Sequence, residues 1–286
     1  MIEVIKVIKS DFHIHTKHSC DSACMTYDTL TAMARSKGIC LFGITDHVHT
    51  PYNHGDIEAS YEDFCVHKTG DMHFGVEVSC VSQWELDRIA AGDHQGDITY
   101  GIRQGGPENC RLAVAVDEGF IERNGIEYVV GGTHWLMYKE YTRKNLIDDY
   151  HRQNMFLAQN KHVDIIAHPW WYMGPFKDAD GRYTTLPWFD DFDVIPKSMH
   201  MEFADALVKN NKYHEINLEA IVLNQQYTDR FRKQYLEYLV FMQEMGVGFT
   251  IGSDCHDAGY RIDFAVSGRL LDAYGIRFDD DPDFLK

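Results

Sequence analysis

The chain has 286 residues, 44% of them hydrophobic, with 44 acidic against 27 basic side chains and a formal charge of −17 when histidine is neutral. That length and apolar content suffice for one large α/β barrel or two small domains. The charge argues against gripping a nucleic-acid backbone over a broad surface, although a bound cation can reverse the field locally and admit a small phosphorylated molecule. No run of 18 apolar residues appears, so no membrane span is expected. Residues 1–6 have no long apolar stretch of the signal type. Seven cysteines at irregular spacing (Cys20, Cys24, Cys40, Cys65, Cys80, Cys110 and Cys255) read as reduced thiols of a cytoplasmic protein rather than a disulfide framework.

The first informative stretch is Asp11-Phe12-His13-Ile14-His15-Thr16. On a strand, side chains alternate, so His13 and His15 share one side and Phe12 and Ile14 the other. Two imidazoles on one face are the usual start of a metal site. Residues 26–37 have Leu30, Met33 and Ala34 at helical spacing, with Gly38 as the stop. Residues 39–45 form a continuous apolar run that suits a strand covered on both faces and ends in Asp46-His47. Residues 52–60 read as a loop around Pro51 and Gly55, and 72–78 as a strand carrying an unexplained charge at Glu77.

Glycine-rich residues 79–106 read as strand remnants and a long loop, and 108–123 as a helix ended by Gly125. A strand over 126–132 delivers Thr133-His134, a polar helix covers 143–159, and a short strand over 163–167 delivers His168-Pro169. The aromatic, acidic stretch at about 170–196 has no period and reads as an extended loop inserted over the structure. A helix over 199–209, a strand over 213–218, a helix over 231–245 stopped by Gly246, and a strand over 247–252 complete the series. That last strand leads into Ser253-Asp254-Cys255-His256, where Asp254 and His256 repeat the two-residue spacing of His13 and His15 and Cys255 points away.

Seven strands separated mostly by helices predict a parallel, crossover-connected α/β architecture, with an open doubly wound sheet as the alternative. In a barrel, all strand C-termini open on one face, where groups distant in sequence meet. His15, His47, Glu77, His134, His168 and Asp254 each fall at or just past such an end, enough ligands for more than one cation. A glutamate among them can bridge two cations about 3.5–4 Å apart.

These residues resemble the PHP superfamily, the polymerase and histidinol phosphatase domains. The carriers are His13-Ile14-His15, the acidic Asp21 shortly after, Thr45-Asp46-His47, Glu77 in Gly75-Val76-Glu77, His134, His168-Pro169 and Gly252-Ser253-Asp254-Cys255-His256. The likeness runs from about residue 10 to 265. It implies a distorted (βα)7 TIM-like barrel spanning 1–286 as a single domain, with two or three divalent metal ions, zinc, manganese or iron. By that resemblance His13, His15, Glu77 and Asp254 hold one metal; Glu77, His134 and His168 a second; Asp21, His47 and His256 a third. Glu77, Asp254 and His256 are the residues implied to serve the chemistry. The implied reaction is hydrolysis of a small phosphomonoester by metal-activated water, with histidinol phosphate as the named candidate. Two departures from histidinol phosphatases stand out: no arginine follows Glu215-Ile216-Asn217 until Arg230, and the insertion after His168 is long. Arg182, Arg230 and Arg261 are the candidate phosphate binders from other loops. An amidohydrolase-like enzyme for a non-phosphate substrate and a non-catalytic metal-binding protein are the other readings.

Overall fold

In the computed structural model, residues 7–21, 23–92, 107, 109–137, 142–171 and 191–285 are described. Seven strands carry the architecture: β1 (Ser10–Ile14), β2 (Leu41–Ile44), β3 (Met72–Ser79), β4 (Tyr128–Gly132), β5 (Ile165–Ile166), β6 (Tyr213–Asn217) and β7 (Gly248–Gly252). They lie side by side in chain order, every neighbouring pair parallel. A single parallel bridge, Ile14 to Cys255, brings the two edges together, with the Asp254 amide donating to the His13 carbonyl at 2.8 Å. The expected TIM-like barrel of seven strands is therefore the observed architecture, nearly closed and flanked by helices. The crossovers are helical because a parallel neighbour cannot be reached by a tight turn.

The helices are α1 (Tyr27–Ser36), α2 (His54–His67), α3 (Gln83–Ala90), α4 (Glu118–Arg123), α5 (Arg143–Gln159), α6 (Lys197–Lys209), α7 (Asp229–Glu244) and α8 (Phe264–Ala273). Thr26, Ser82, Asp117, Thr142, Thr228 and Asp263 each accept a hydrogen bond from an otherwise orphan first-turn amide, which sets where six of them start. Gly246, a stop read from sequence, follows α7 with φ +89°, a conformation disfavoured for residues with a Cβ.

Three sequence expectations fail here. Residues 52–60 are not a loop: Thr50 caps a short turn at Pro51–Asn53 that runs directly into α2, so proline at the first helical position acts as a start signal. Of the strand remnants and long loop expected over 79–106, a two-residue strand, Val81–Ser82, is present, but α3 follows it in place of a loop, and residues 93–106 lie outside the described residues. The helix expected over 108–123 shrinks to α4, because Leu112–Ala113 pairs antiparallel with Val81–Ser82 instead. Among the described residues no disulfide joins any of the seven cysteines. Among the described residues, no helix is long and apolar enough to cross a membrane.

The core has two parts. Phe12, Tyr128, Val130, Ile165 and Ala167, reached by Leu41, Tyr213, Phe284 and Leu285, come from five strands and the C-terminal turn, so they fill the barrel interior. The larger cluster lies between strands and helices and contains Ile14, Val76, Val129, Ile216 and Ile251. Phe12 and Ile14 thus fall in different layers, contrary to simple alternation. The register between β1 and β2 slips between Asp11 and Ile14, and that bulge turns Phe12 inward beneath His13. Trp170 is fully buried in the outer cluster, so it anchors the chain after His168 and cannot wall a substrate.

Tyr128 spans the interior. Its hydroxyl donates to the Phe12 carbonyl at 2.9 Å, and its ring lies where Cβ atoms on Gly43 and Gly75 would stand, 1.8 Å and 2.8 Å from its nearest side-chain atoms. Gly43→Ala should cost more than about 2 kcal/mol through overpacking, and Tyr128→Phe about 1 kcal/mol through its lost hydrogen bond. In the double variant the Gly43 cost should shrink because the closest clashing atom is gone, a non-additivity that urea denaturation of the four proteins measures.

His200 on α6 packs flat against Phe192, centroids 5.5 Å apart, and lies 4.6 Å from the Tyr238 ring. Burial, helped by the charges of His151 and Lys197, lowers its pKa from the ordinary 6.5 to about 4. Its folded pKa is depressed, so its stabilising contribution is complete above pH 6.5 and is lost as the pH falls from there through about 4. Over that window the unfolding free energy of the native protein should fall by about 3 kcal/mol more than that of His200→Leu, as urea denaturation across pH measures.

Candidate metal centre

Glu77 sits on β3 with its side chain inside the barrel and wholly buried. Five imidazoles surround its carboxylate, brought by four strand ends, with His15 the most distant at 3.5 Å. His13 on β1 lies 3.1 Å away through Nε2. His47 comes from a two-residue strand after β2 whose register sets it opposite Glu77, and its Nδ1 is 2.9 Å from Oε2. His134, just past β4, and His168, past β5, approach Oε1 at 3.2 Å and 3.0 Å. This approach needs Gly132: a Cβ there would lie 2.7–2.9 Å from His134, Glu77 and His168 atoms.

His15 Nε2 lies 3.1 Å from His13 Nε2 and 3.3 Å from Asp254 Oδ1. Asp21 bridges the outer imidazoles, its Oδ2 being 3.1 Å from His47 Nε2 and 2.5 Å from His256 Nε2. The potential ligand atoms form three groups, within each of which all atoms lie within 4.8 Å of one another: His13, His15, Glu77 and Asp254; His47, Glu77 and His134; and His15, Asp21, His47 and His256. All nine side chains singled out in the sequence therefore meet at the C-terminal mouth. The partition differs in detail from the one expected, because His47 joins Glu77 and His134 while His168 touches Glu77 outside that triad.

The expected strand geometry of Asp254 and His256 is also corrected. β7 ends at Gly252, and Asp254 has φ +58°. His168 likewise has φ +29°. Two candidate ligands thus occupy backbone conformations that L residues disfavour, a strain that collects at functional sites. Cys255 turns away into the outer core as expected, and burial pushes its thiol up to about 12.

Glu215 on β6 was legible only as part of a short motif, yet it organises the inner wall. Its Oε1 accepts from His13 Nδ1 at 2.6 Å and its Oε2 from the His168 amide at 2.6 Å. Gly252 makes room for it, since a Cβ there would sit 1.8 Å from Oε1. Asn217, two residues on and facing the same side, donates to Glu215 and to Asp254 Oδ2. Period-two spacing from a buried charge was the available signal for both residues. Ser79, two residues beyond Glu77, and His49, two beyond His47, carry the same signal. Asp46 accepts from the Thr16 amide, the Thr16 hydroxyl and the Ser60 hydroxyl, fixing the turn that leads to Asp21. Asp11 holds the Ser253 amide and the Tyr260 hydroxyl beneath Asp254.

Burial alone would neutralise Glu77, but the charges of His13, His47 and His134 outweigh it and keep its pKa well below the ordinary carboxylate range. Burial together with the charges of His256 and His47 lowers His15 to about 3, leaving a neutral imidazole. For His47 burial is overcome by Glu77 and Asp21, which raise it to about 10. The donor chemistry fits divalent cations. His47 Nδ1 and Glu77 Oε2 are buried, lie 2.9 Å apart and make no hydrogen bond, as two atoms directed at a shared third partner would. Imidazole nitrogens and carboxylate oxygens suit zinc, manganese or iron.

Fold and site together define a nearly closed α/β barrel with a buried histidine and carboxylate cluster at its C-terminal mouth. A scan against protein-family models finds no match, and no curated protein sequence matches. Among solved structures, the chain is similar to a Listeria monocytogenes protein provisionally assigned as the histidinol phosphatase hisK, with TM-score 0.57 and 11% identity over 93% of this chain and 100% of that one. An archaeal fructose 1,6-bisphosphate aldolase overlaps more loosely, with TM-score 0.34 and 10% identity over 94% of this chain and 93% of the other.

Glu77→Gln keeps the shape but removes the charge that five imidazoles share, and metal analysis after reconstitution should show at least one equivalent less than the native protein. Unchanged metal content would remove Glu77 from the centre.

Proposed function

We propose that this protein is a PHP-type hydrolase that cleaves a small phosphomonoester, with two or three divalent cations held by His13, His15, Asp21, His47, Glu77, His134, His168, Asp254 and His256. The observation that carries this reading is the buried Glu77 carboxylate facing His13, His47, His134 and His168 from four separate strand ends. Cations bound there supply Lewis acidity and activate water for attack on phosphorus.

The chain's own residues do the rest. Glu215 accepts a hydrogen bond from His13 Nδ1–H, which holds the proton there and leaves Nε2 free to ligate. Asn217 holds Asp254 Oδ2, so that Oδ1 faces His13 and His15 at 3.6 Å and 3.3 Å. Glu77 and Asp254 bring the negative charge that lets cations sit close together, and His256 faces the outer edge beside Asp21. Trp171, half-buried with its ring 5.0 Å from that of His168, is the described aromatic of the insertion placed to touch an organic leaving group. Tyr172, Phe176, Trp188 and Arg182 lie outside the described residues.

One observation favours the second reading, a hydrolase of a non-phosphate substrate. Of the three arginines considered as phosphate binders, the two among the described residues pair away from the cluster. Arg230 pairs with Asp191 and Arg261 with Asp257, both with largely exposed side chains. Metal-reconstituted protein should release phosphate from at least one member of a panel of histidinol phosphate, sugar phosphates and nucleotides, and Asp254→Asn should depress kcat by orders of magnitude. Metal-dependent cleavage of amides or esters with no phosphate release would select the second reading.

A further inference from the structure

The least expected polar feature of the mouth is a chain of three side chains running inward from a histidine outside the nine. Ser79 Oγ lies 2.7 Å from His49 Nδ1 and 2.8 Å from His134 Nδ1. His134 Nε2 in turn faces Glu77 Oε1 at 3.2 Å. Ser79 is fully buried and His49 3% exposed, so the chain runs through the protein interior. His49 is itself held firmly. Its amide donates to Asn53 Oδ1 at 3.0 Å, and its ring stacks on His47 at 4.3 Å and meets Trp135 at 4.9 Å.

We propose that His49, acting through the Ser79 hydroxyl, is a positioning residue that sets which nitrogen of His134 carries the proton. The inference rests on His134 being a metal ligand and concerns what makes it one. A hydroxyl has a single proton, so Ser79 can donate to only one of its two imidazole neighbours while accepting from the other. With a proton on His134 Nε2, directed at Glu77, the chain runs from His49 Nδ1–H to Ser79 and from Ser79 to His134 Nδ1. With Nε2 offered as a lone pair to a cation, His134 must carry its proton on Nδ1, and every bond reverses: His134 donates to Ser79 and Ser79 donates to His49 Nδ1.

The reversal conserves protons. His49 Nδ1 passes one to Ser79 as Ser79 passes one to His134 Nδ1, while water supplies one to His49 Nε2 and accepts one from His134 Nε2. Both histidines stay neutral in each state. Without the acceptor at His49, the ligating state would leave the Ser79 proton buried with nothing to receive it, which penalises that state specifically.

The test uses Zn2+ alone as probe, with affinity read by chelator competition and imidazole tautomers by 15N shifts of histidine-labelled protein. His49→Leu and Ser79→Ala should each weaken one class of Zn2+ by about 10-fold or more, as for other partners of metal-bound histidines. Their double variant should be little weaker than either, since both break one chain. His49→Asn, whose side-chain oxygen accepts where Nδ1 does, should restore most of the affinity. Zn2+ should move the His134 proton to Nδ1 in the native protein and His49→Asn, and incompletely in His49→Leu. If folded His49→Leu binds Zn2+ as tightly as the native protein with an unchanged His134 tautomer, the proposal is wrong. If the native protein binds no Zn2+, the metal-centre reading fails instead.

Discussion

A carboxylate buried at the centre of a barrel is the constraint on which the rest of this structure depends. Moving Glu77 out of water is costly, and its ionised form persists only because imidazoles from four strand ends converge on its two oxygens. That convergence is possible only in a closed parallel sheet, where every strand delivers its C-terminal residue to the same mouth. Closure itself runs through the site, since the Ile14 to Cys255 bridge joins the strand carrying His13 to the segment carrying Asp254.

Space is allotted as strictly as charge. Gly132 and Gly252 occupy inward positions in the layer of Glu77 and Glu215, and a single Cβ at either would strike the cluster. Below them, Gly43 and Gly75 make room for Tyr128, whose ring, with Phe12 and Phe284, seals the floor. The interior is thus apolar at its base and ionic at its top, with empty side-chain positions paired to bulky neighbours. Glu215 joins the two strained or exacting points of the wall, holding the His13 ring and the His168 amide with the same carboxylate.

The chain's large negative charge and its site chemistry are compatible because the charges that matter are buried and paired. Glu77, Asp21 and Asp254 each face histidine nitrogens within about 3.7 Å. Hydrogen-bonded supports lie behind that layer: Asp11 under the Ser253 turn, Asp46 under the Thr16 turn, and Ser79 with His49 behind His134. A cation entering this site must displace protons held among those groups, which couples its binding to pH.

The sequence by itself determined the seven barrel strands and the residues at their ends. A buried parallel strand must be apolar on both faces, so a charge or histidine where the apolar run stops is conspicuous, as at His47, Glu77, His134 and His168. It also determined α5 and α7, whose threonine caps, apolar spacing and, for α7, closing glycine are local properties. Only the tertiary structure decided the rest. Whether Pro51 opens a helix or breaks one depended on what Thr50 bonds, and whether Leu112 joins a helix or a strand depended on Val81 reaching it. Phe12 faces the same interior as His13 because β1 bulges against β2, which no period in β1 alone can reveal. The roles of Glu215 and His49 were hidden for the same reason. Each is defined by a hydrogen bond to a side chain 30 or more residues away, and the distance between such groups is set by barrel closure rather than by their neighbours in the chain.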